Sequence, residues 1–306
     1  MKRFYYAILF GLFALYSTFT HAEDKKSWYI DHVVIVVKNL DDAVKEFKKL
    51  GFTVIPGGKH ADNFDHNALI PFSDGSYIEL YSPVQTSMGS QLQELKKQNK
   101  LDAFTSNLNA IKARFIDHIA SGEGIMDFAI SAPHLNLQQI IASQQNQTLV
   151  GPIRMDRIRP DDKKIVWDVA VPKNNSLPFL ITDITPKSWR TLKDQSITQQ
   201  NGVTGIAEIL IIVPDLKKAV MEYQIVLNMK PLTINISTQN VKSAIFKIGK
   251  VNVILMQPTD KTSKFYQNLV TRGAGPYDLT LYSTKNMNKN ELISFAGGST
   301  INLKYQ

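Results

Sequence analysis

The feature that most constrains the fold of this chain is an internal repeat. Residues 206–223 (IAEILIIVPDLKKAVMEY) match residues 30–47 (IDHVVIVVKNLDDAVKEF) without a gap, and residues 251–258 (VNVILMQP) match residues 76–83 (SYIELYSP). In the first pair, a β-branched run leads through a turn into apolar residues at helical spacing. A unit that recurs in this way predicts a fold assembled from copies of one supersecondary structure.

The best-defined copy, residues 30–83, has the pattern of a β-α-β-β-β unit. Its helix has an N-cap at Asn39 and ends at Gly51. The predicted strands are residues 30–37, 52–55, 67–72 and 76–81, with turns at Gly57-Gly58 and Asp74-Gly75. A two-residue turn at Asp74-Gly75 would place Ile70 opposite Glu79, with His66 on the same concave face.

Three looser copies of this unit follow. The second runs from residue 122 to residue 182, after a helical connection at residues 84–120. The third begins near residue 203, and the fourth is cut short. A second connection, residues 187–201, is polar and predicted to be exposed. The predicted fold class is α+β, with paired βαβββ modules that form curved mixed sheets in two tandem domains, residues 29–185 and 203–306.

The first 22 residues have the pattern of a secretory signal peptide. Lys2 and Arg3 precede an uncharged apolar run, and Thr20-His21-Ala22 offers small residues at the cleavage positions. We therefore expect a periplasmic or secreted protein, with an uncleaved inner-membrane anchor as the alternative. The chain has no Cys, so it has no disulfides and no thiolate nucleophile, and any metal site must use nitrogen and oxygen ligands.

The charge distribution argues against nucleic acid as a partner. The net charge is +8, and it falls to about +6 when Lys2 and Arg3 are removed with the signal peptide. Lys and Arg are spread along the chain, whereas a nucleic-acid-binding face has them clustered with aromatic residues. We expect a small-molecule ligand, no nucleic acid, and no membrane association after cleavage of the signal peptide.

Two polar residues interrupt the apolar strands of the first copy, and they are the best chemical clue in the sequence. His32 lies in the first strand and Glu79 in the last. A carboxylate between Ile78 and Leu80 is costly to bury without a partner. Glu79 therefore needs a metal, His32 or an arginine as its partner. His32 is either a functional residue or a structural one, bonded to Asp31 or to a backbone carbonyl.

Four such modules, with a polar residue early in strand one and Glu in strand four, resemble the vicinal oxygen chelate superfamily. The first pair of modules resembles its glyoxalase-like domain family in the segments IDHVVIVVKNLDDAV, GGKH, DHNALIPFSDGSYIELYSP, GPIRMDRIRPDD and LPFLI. The second pair resembles only the broader superfamily. The resemblance implies that paired modules curl around a shared cavity, where strands one and four often bind a divalent metal.

The resemblance also implies which residues would carry the chemistry. His32 and Glu79 are the candidate catalytic residues and metal ligands, and Asp127 is the candidate third ligand from the second module. Such a set suits Zn²⁺, Mn²⁺, Fe²⁺ or Ni²⁺, any of which can polarise a carbonyl or stabilise an enediolate. The alternatives are a structural ion pair for Glu79 and a structural role for Asp127, because Asp278 repeats the Asp127 position in a domain without other ligands.

Further residues are predicted to line the cavity and contact the substrate. These are His66, Asn67, His60, Tyr77 and Arg154. Arg154 belongs to a cluster with Arg157 and Arg159, and guanidinium groups suit planar anions such as carboxylate or phosphate. A charged, exposed hairpin is the alternative for this cluster.

The second domain is predicted to have lost metal chemistry, because Glu208 replaces His32 and Ile254 replaces Glu79. It would serve as a scaffold, complete part of a cavity, or form a homodimer. Three functions remain open for the chain as a whole. It is a metal-dependent enzyme of lyase, isomerase or dioxygenase type, a metal-free protein that binds and sequesters a small molecule, or a non-catalytic envelope scaffold.

Overall fold

The structure is a computed structural model that describes residues 27–60, 64–144, 148–191, 197–238, 240–285, 291–295 and 298–306. The predicted signal peptide lies outside the described residues and stays a prediction. None of the helices in the described part is long and apolar enough to cross a membrane.

The first half of the chain builds a closed barrel of eight strands. The strands are β1 (Tyr29–Val36), β2 (Ile55–His60), β3 (Asp65–Pro71), β4 (Tyr77–Pro83), β5 (Gly124–Ser131), β6 (Leu149–Ile158), β7 (Lys164–Pro172) and β8 (Phe179–Asp183). Their order around the barrel is β1-β4-β3-β2-β6-β7-β8-β5. In each module the first and last strands are parallel neighbours, and antiparallel pairing of β1 with β5 joins the two modules.

Six helices accompany the barrel. They are α1 (Leu40–Lys49), α2 (Met88–Lys97), α3 (Leu101–Thr105), α4 (Ala110–Ala120), α5 (Leu137–Ser143) and α6 (Lys187–Thr191). The predicted N-cap of α1 is confirmed, since Asn39 accepts a hydrogen bond from the Asp42 amide at 3.0 Å. The helix buries Leu40, Ala43 and Phe47 and lies against β3 and β4, so its apolar face covers the outside of the barrel.

The second half of the chain forms a seven-stranded mixed sheet. Its strands are β9 (Val203–Ile212), β10 (Thr233–Thr238), β11 (Val241–Ile248), β12 (Val251–Pro258), β13 (Gly275–Ser283), β14 (Glu291–Ser294) and β15 (Thr300–Tyr305), and its helices are α7 (Leu216–Leu227) and α8 (Lys264–Arg272). The strand order is β10-β11-β12-β9-β13-β15-β14. The predicted α+β class, with two curved mixed sheets in tandem, is confirmed.

The two sheets share one strand register, which agrees with the internal repeat in the sequence. Val34 lies opposite Glu79 in the barrel, and Leu210 lies opposite Ile254 in the second sheet. The sequence match pairs these same positions. The second sheet therefore contains the backbone of the first module without its carboxylate.

The predicted turns of the first module are corrected by the structure. Gly57 and Gly58 lie inside β2, next to a register shift between Pro56 and Gly58. The β3–β4 loop has three residues instead of two, since the Phe72 amide bonds to the Ser76 carbonyl at 2.9 Å. Such loops have a residue of positive φ at their third position, and Gly75 has φ +89°.

The longer loop changes which side chains of β3 face into the barrel. Leu69 lies opposite Glu79, where the sequence predicted Ile70. A slip of one residue moves every side chain of a strand to the other face. Asn67, two residues before Leu69, therefore lies on the face of Glu79, and His66 lies on the opposite face.

The connections between modules contribute more to the barrel than their sequences indicated. Helix α4, from the first connection, packs against β6 and β7. The second connection was predicted to be exposed, but its helix α6 buries Arg190 and Thr191, which are 2% and 5% exposed. Arg190 can be buried because it has carboxylate partners on β1 and β8, and the partner on β1, Asp31, lies 159 positions away in the sequence.

Candidate functional site

The barrel encloses a cavity of about 470 Å³ with one apolar and one polar side. The apolar side includes Ile111, Phe115, Trp167, Val169, Phe179 and Ile181. The polar side includes His32, Asn67, Tyr77, Glu79, Arg157 and Arg190. An apolar wall with a few convergent polar groups is typical of a site for a small organic molecule.

The start of helix α4 forms part of the cavity wall. Asn107, Leu108, Asn109 and Lys112 all line it. Asn109 caps the helix by accepting a hydrogen bond from the Lys112 amide at 3.0 Å. One turn later, the ring of Phe115 packs edge-on against other aromatic rings of the wall. The helical insertion therefore completes the cavity, a role that its sequence did not indicate.

A bulge in β1 brings two adjacent polar side chains together. Ile30 pairs with Ile130 and His32 with Ala129, which leaves Asp31 as an extra residue in the strand. Bulges of this kind redirect side chains and are common beside functional sites. Asp31 Oδ1 lies 2.8 Å from His32 Nδ1. Asp31 is the hydrogen-bond partner that was predicted for a structural His32.

Asp31 is fully buried and is held in its ionised form by two cations. Arg190 donates to both of its oxygens at 2.7 and 3.0 Å, and Lys187 donates to Oδ2 at 2.7 Å. Burial acts to raise the pKa of Asp31, but Arg190, the bond to His32 and Lys187 outweigh it and hold the pKa well below its ordinary value. An ionised Asp31 requires a proton on His32 Nδ1, so Nε2 is the basic nitrogen of the neutral ring.

His32 Nε2 lies 3.4 Å from Glu79 Oε2, and both side chains line the cavity. Glu79 is 8% exposed and His32 is 3% exposed. The other oxygen of Glu79 accepts a hydrogen bond from the side-chain amide nitrogen of Asn67, Nδ2. The pair can hold one proton between two basic atoms at the surface of the cavity, which is the arrangement that proton transfer to and from a ligand needs.

Tyr77 connects this pair to the buried cations. Its ring stacks on the ring of His32 with a centroid distance of 4.6 Å. Its hydroxyl oxygen accepts a hydrogen bond from Arg190 Nη1 at 2.6 Å. Burial raises the pKa of Tyr77 well above its ordinary value, although Arg190 acts in the opposite direction. Tyr77 therefore keeps its own proton, which a phenol can donate to an oxygen in the cavity.

Arg157 and Arg190 are the site residues that the sequence interpretation missed or placed on the surface. Arg157 is 3% exposed and lines the cavity, whereas the hairpin alternative predicted exposure. Arg190 also binds Asp183, with Nε donating at 2.7 Å. For Arg157, the sequence signal was the run IRMDRIRPDD, in which arginines recur among strand-forming residues.

Asp127 does not join His32 and Glu79. Its carboxylate accepts hydrogen bonds from Arg114 Nε and Nη2 at 2.6 and 2.8 Å, and His118 Nε2 lies 2.9 Å from Oδ2. Burial raises the pKa of Asp127, but the charge and hydrogen bonds of Arg114 and His118 prevail and lower it from 3.8 to about 2. Asp127 thus has the structural role that was the alternative to metal binding.

The remaining candidates are distributed as follows. Asn67 and Tyr77 line the cavity, as predicted for them, and so does Arg154, whose side chain is exposed and paired with Asp168. His66 instead lines a separate pocket of about 290 Å³ beside α1, because of the one-residue change in register. His60 ends β2, and its side chain lies outside the described part of the structure.

The described residues do not fit the divalent metal that the resemblance implied. No three His, Asp or Glu side chains in the described part come together as a metal-binding group. Asn67 presents an N–H group to Glu79 instead of a lone pair. Phe179 pairs with Ala129 in the second module as Glu79 pairs with Val34 in the first, and it has no ligand atom. The predicted set of His32, Glu79 and Asp127 is therefore not assembled.

Comparison with known proteins identifies the family of this chain and solved structures with a similar fold. A family model described as "Glyoxalase-like domain" matches residues 30–227. A hypothetical protein from Staphylococcus aureus has a similar fold, with a TM-score of 0.66 at 16% identity over 91% of this chain and 100% of that one. A mutant of 4-hydroxymandelate synthase from Streptomyces coelicolor has a TM-score of 0.52 at 11% identity, over 84% and 71% of the two chains.

A shorter match is methylmalonyl-CoA epimerase from Mycobacterium tuberculosis, with a TM-score of 0.30 and 20% identity over 36% of this chain and 93% of that one. None of the curated proteins compared matches the sequence significantly. The family match covers about two thirds of the 306 residues and includes the whole barrel. The chain therefore belongs to the glyoxalase-like domain family of the vicinal oxygen chelate superfamily.

Proposed function

We propose that the chain binds a small organic molecule in the barrel cavity, and that His32 and Glu79 move a proton on it. The reaction class is isomerisation or epimerisation next to a carbonyl group. The observation that carries the proposal is the 3.4 Å distance between His32 Nε2 and Glu79 Oε2 at the cavity wall, with Asp31 bonded to the far side of the imidazole.

Each residue of the polar side has a role in this reaction. Glu79 takes the proton from the carbon next to the carbonyl, and His32 Nε2, in reach of the same proton, returns it to another position. Tyr77 donates its hydroxyl proton as a hydrogen bond to the oxygen on which negative charge develops. Asp31 fixes the tautomer and orientation of His32, and the apolar wall excludes water. These steps use only side chains of this chain.

Hydrogen-deuterium exchange tests the proposal. The protein without residues 1–22 is incubated in D₂O with a panel of ketones, 2-oxo acids and 2-oxo amides, and exchange of the α-protons is followed by NMR. We expect exchange of at least one compound to be faster with the wild type than with Glu79→Gln by about 100-fold or more. Gln retains an oxygen that can accept from Asn67 but lacks the base. Exchange at the buffer rate for the whole panel, with a folded protein, would contradict the proposal.

The aromatic side of the cavity supports a second candidate function, which is binding without turnover. Phe115, Phe179 and Trp167 offer a large apolar surface for a ligand. A sequestering protein would release a bound compound chemically unchanged and without deuterium at any carbon. The open cavity gives less support to the envelope scaffold, since a purely structural barrel would have its interior filled by side chains.

We also propose that the chain is exported and cleaved after Ala22. The support is the basic, apolar and small-residue pattern of residues 1–22. N-terminal sequencing of the protein from the producing cell tests this, with Glu23 expected as the first residue. An intact N-terminus in a cytoplasmic fraction would contradict it. The homodimer stays a prediction.

A further inference from the structure

Arg157 is a buried cation whose hydrogen-bond partners are all neutral. Nη1 donates to the side-chain oxygen of Asn67 and Nη2 to the backbone carbonyl of Arg190, both at 2.9 Å. Nε has no acceptor in the described part of the structure. The guanidinium therefore has no carboxylate hydrogen-bonded to it among the described residues. This is energetically costly, because a buried charge needs a partner of opposite charge.

The other cations of the cavity wall each have a carboxylate partner. The pairs are Lys112 with Asp65, Arg154 with Asp168, and Arg190 with Asp31 and Asp183. Among the described residues of the wall, Arg157 is thus the cation with no carboxylate at ion-pair distance. The cavity has capacity for one further negative charge at this position.

Asn67 keeps Arg157 apart from the nearest carboxylate. Its amide nitrogen donates to Glu79, while its oxygen accepts from Arg157. Gly57 leaves the space for this arrangement, because a Cβ atom there would lie 2.0 Å from Asn67 Oδ1 and 2.9 Å from Arg157 Nη1. Asn67 therefore separates the two charges, so that Glu79 faces His32 and Arg157 Nε is left without an acceptor among the described residues.

We propose that the ligand of this cavity carries a carboxylate that binds the guanidinium of Arg157, with its apolar part against Trp167 and Phe179. This inference rests on the proposed function, since it names the class of molecule that the same cavity takes. Guanidinium groups match the planar geometry of carboxylates. One unpaired cation suits one negative charge, whereas a phosphate dianion would need a second cation, and the others are paired.

The position of Arg157 also orients such a ligand for the reaction. The side chain of Asn67 is hydrogen-bonded to both Arg157 and Glu79. A carboxylate bound to Arg157 would therefore be separated from the base, Glu79, by this one side chain. The proposal places the proton-bearing carbon, which is next to the ligand's carbonyl group, on the Glu79 and His32 side of this carboxylate. Binding of a remote group that places the reacting carbon in this way is how enzymes convert affinity into rate.

Matched probes test the inference without knowledge of the natural ligand. Phenylacetate, 3-phenylpropionate and 4-phenylbutyrate are compared with their amides and alcohols by calorimetry and by quenching of Trp fluorescence. For the acid that binds best, we expect an affinity about tenfold or more above that of its amide. Arg157→Met should remove this preference, and Arg157→Lys should retain part of it.

Arg159→Met is the matched control, because Arg159 belongs to the same run of arginines but does not line the cavity and already has Asp161 as its partner. It should keep the preference for acids. Circular dichroism and melting temperature show whether each variant is folded. If Arg157→Met does not fold, the comparison of acid with amide in the wild type and in Arg157→Lys decides.

The outcomes separate this inference from the proposed function. Equal affinities for acids and amides in the wild type would overturn the inference alone, and so would an acid preference that Arg157→Met leaves unchanged. Failure of every acid, amide and alcohol to bind the folded wild type would overturn ligand binding in the cavity, and with it both claims.

Discussion

At the scale of single residues, the contact between Asn67 and Arg157 on the polar side of the cavity requires that position 57 has no side chain. Gly57→Ala is expected to displace Asn67, because the new Cβ would meet its oxygen at 2.0 Å. The free energy of unfolding should fall by about 1–3 kcal/mol, as for other overpacked sites. Denaturant unfolding measures this, and the acid probes measure the accompanying loss of binding.

Gly89→Ala is the control for this substitution. Gly89 lies in α2, and the nearest atom to a Cβ there is 4.0 Å away. Alanine at a helix position should leave stability unchanged or raise it by up to about 1 kcal/mol. A Gly57→Ala variant with the stability and binding of the wild type would show that the Asn67–Arg157 contact does not need this space.

Asp127 is expected to make stability depend on pH in the acid range. Its pKa is lowered to about 2 in the folded state from 3.8, so its ionised form stabilises the fold above pH 3.8. That contribution, about 2 kcal/mol, is lost as the pH falls from 3.8 to 2. Urea unfolding of Asp127→Asn should show a lower free energy at pH 6 and a smaller decrease between pH 4 and pH 2 than the wild type. Equal decreases in the two proteins would contradict the assignment.

Single residues of the site differ in how far the sequence could predict them. His32 and Glu79 could be found, because a polar residue in an apolar strand needs a partner. Arg190 could not, since its partner Asp31 is 159 positions away and no local pattern reports such a contact. The choice between His66 and Asn67 depended on a single residue of loop length, which Ser73-Asp74-Gly75 leaves ambiguous.

At the scale of elements, helix α4 gives the cavity part of its wall, and its N-cap is a specific test of that role. Asn109→Ala should lower the free energy of unfolding by about 1 kcal/mol and weaken probe binding, because the capped turn lines the cavity. Asn136→Ala removes the corresponding cap of α5, where Asn136 accepts from the Gln139 amide at 3.0 Å.

Asn136→Ala should lower stability by a similar amount but leave binding unchanged, since Asn136 does not line the cavity. Thermal unfolding and calorimetry on both variants make the comparison. If the two variants weaken binding equally, the effect comes from general destabilisation and α4 has no special role in the site.

The elements themselves were largely predictable, because hydrophobic periodicity and cap residues are local signals. The helix α1, the strand β1 and the closing strand β4 follow from residues 30–83 alone. The bulge at Asp31 and the position of α6 against the barrel were not. Both depend on contacts between distant segments, which a single sequence does not record.

At the scale of the whole molecule, two sheets with one register differ in their polar residues, and ligand chemistry is expected in the barrel alone. The barrel lacks an assembled metal-binding group among its described residues. We therefore expect metal analysis of the purified protein to find less than about 0.1 divalent ion per chain, and EDTA to leave melting temperature and probe binding unchanged. A stoichiometric metal lost from His32→Ala and Glu79→Ala variants would contradict this.

The internal repeat supplies the most direct test of where the chemistry lies. His32 and Glu208 occupy corresponding positions in the two sheets, and Glu208 is bonded to Asn252 and Lys304. The measurement is the rate of α-proton exchange in D₂O with the most reactive compound of the panel, for the wild type, His32→Gln and Glu208→Gln. We predict a decrease of about 100-fold or more for His32→Gln and the wild-type rate for Glu208→Gln. Equal rates in all three proteins, or a loss in Glu208→Gln alone, would contradict the assignment of the reaction to the barrel cavity.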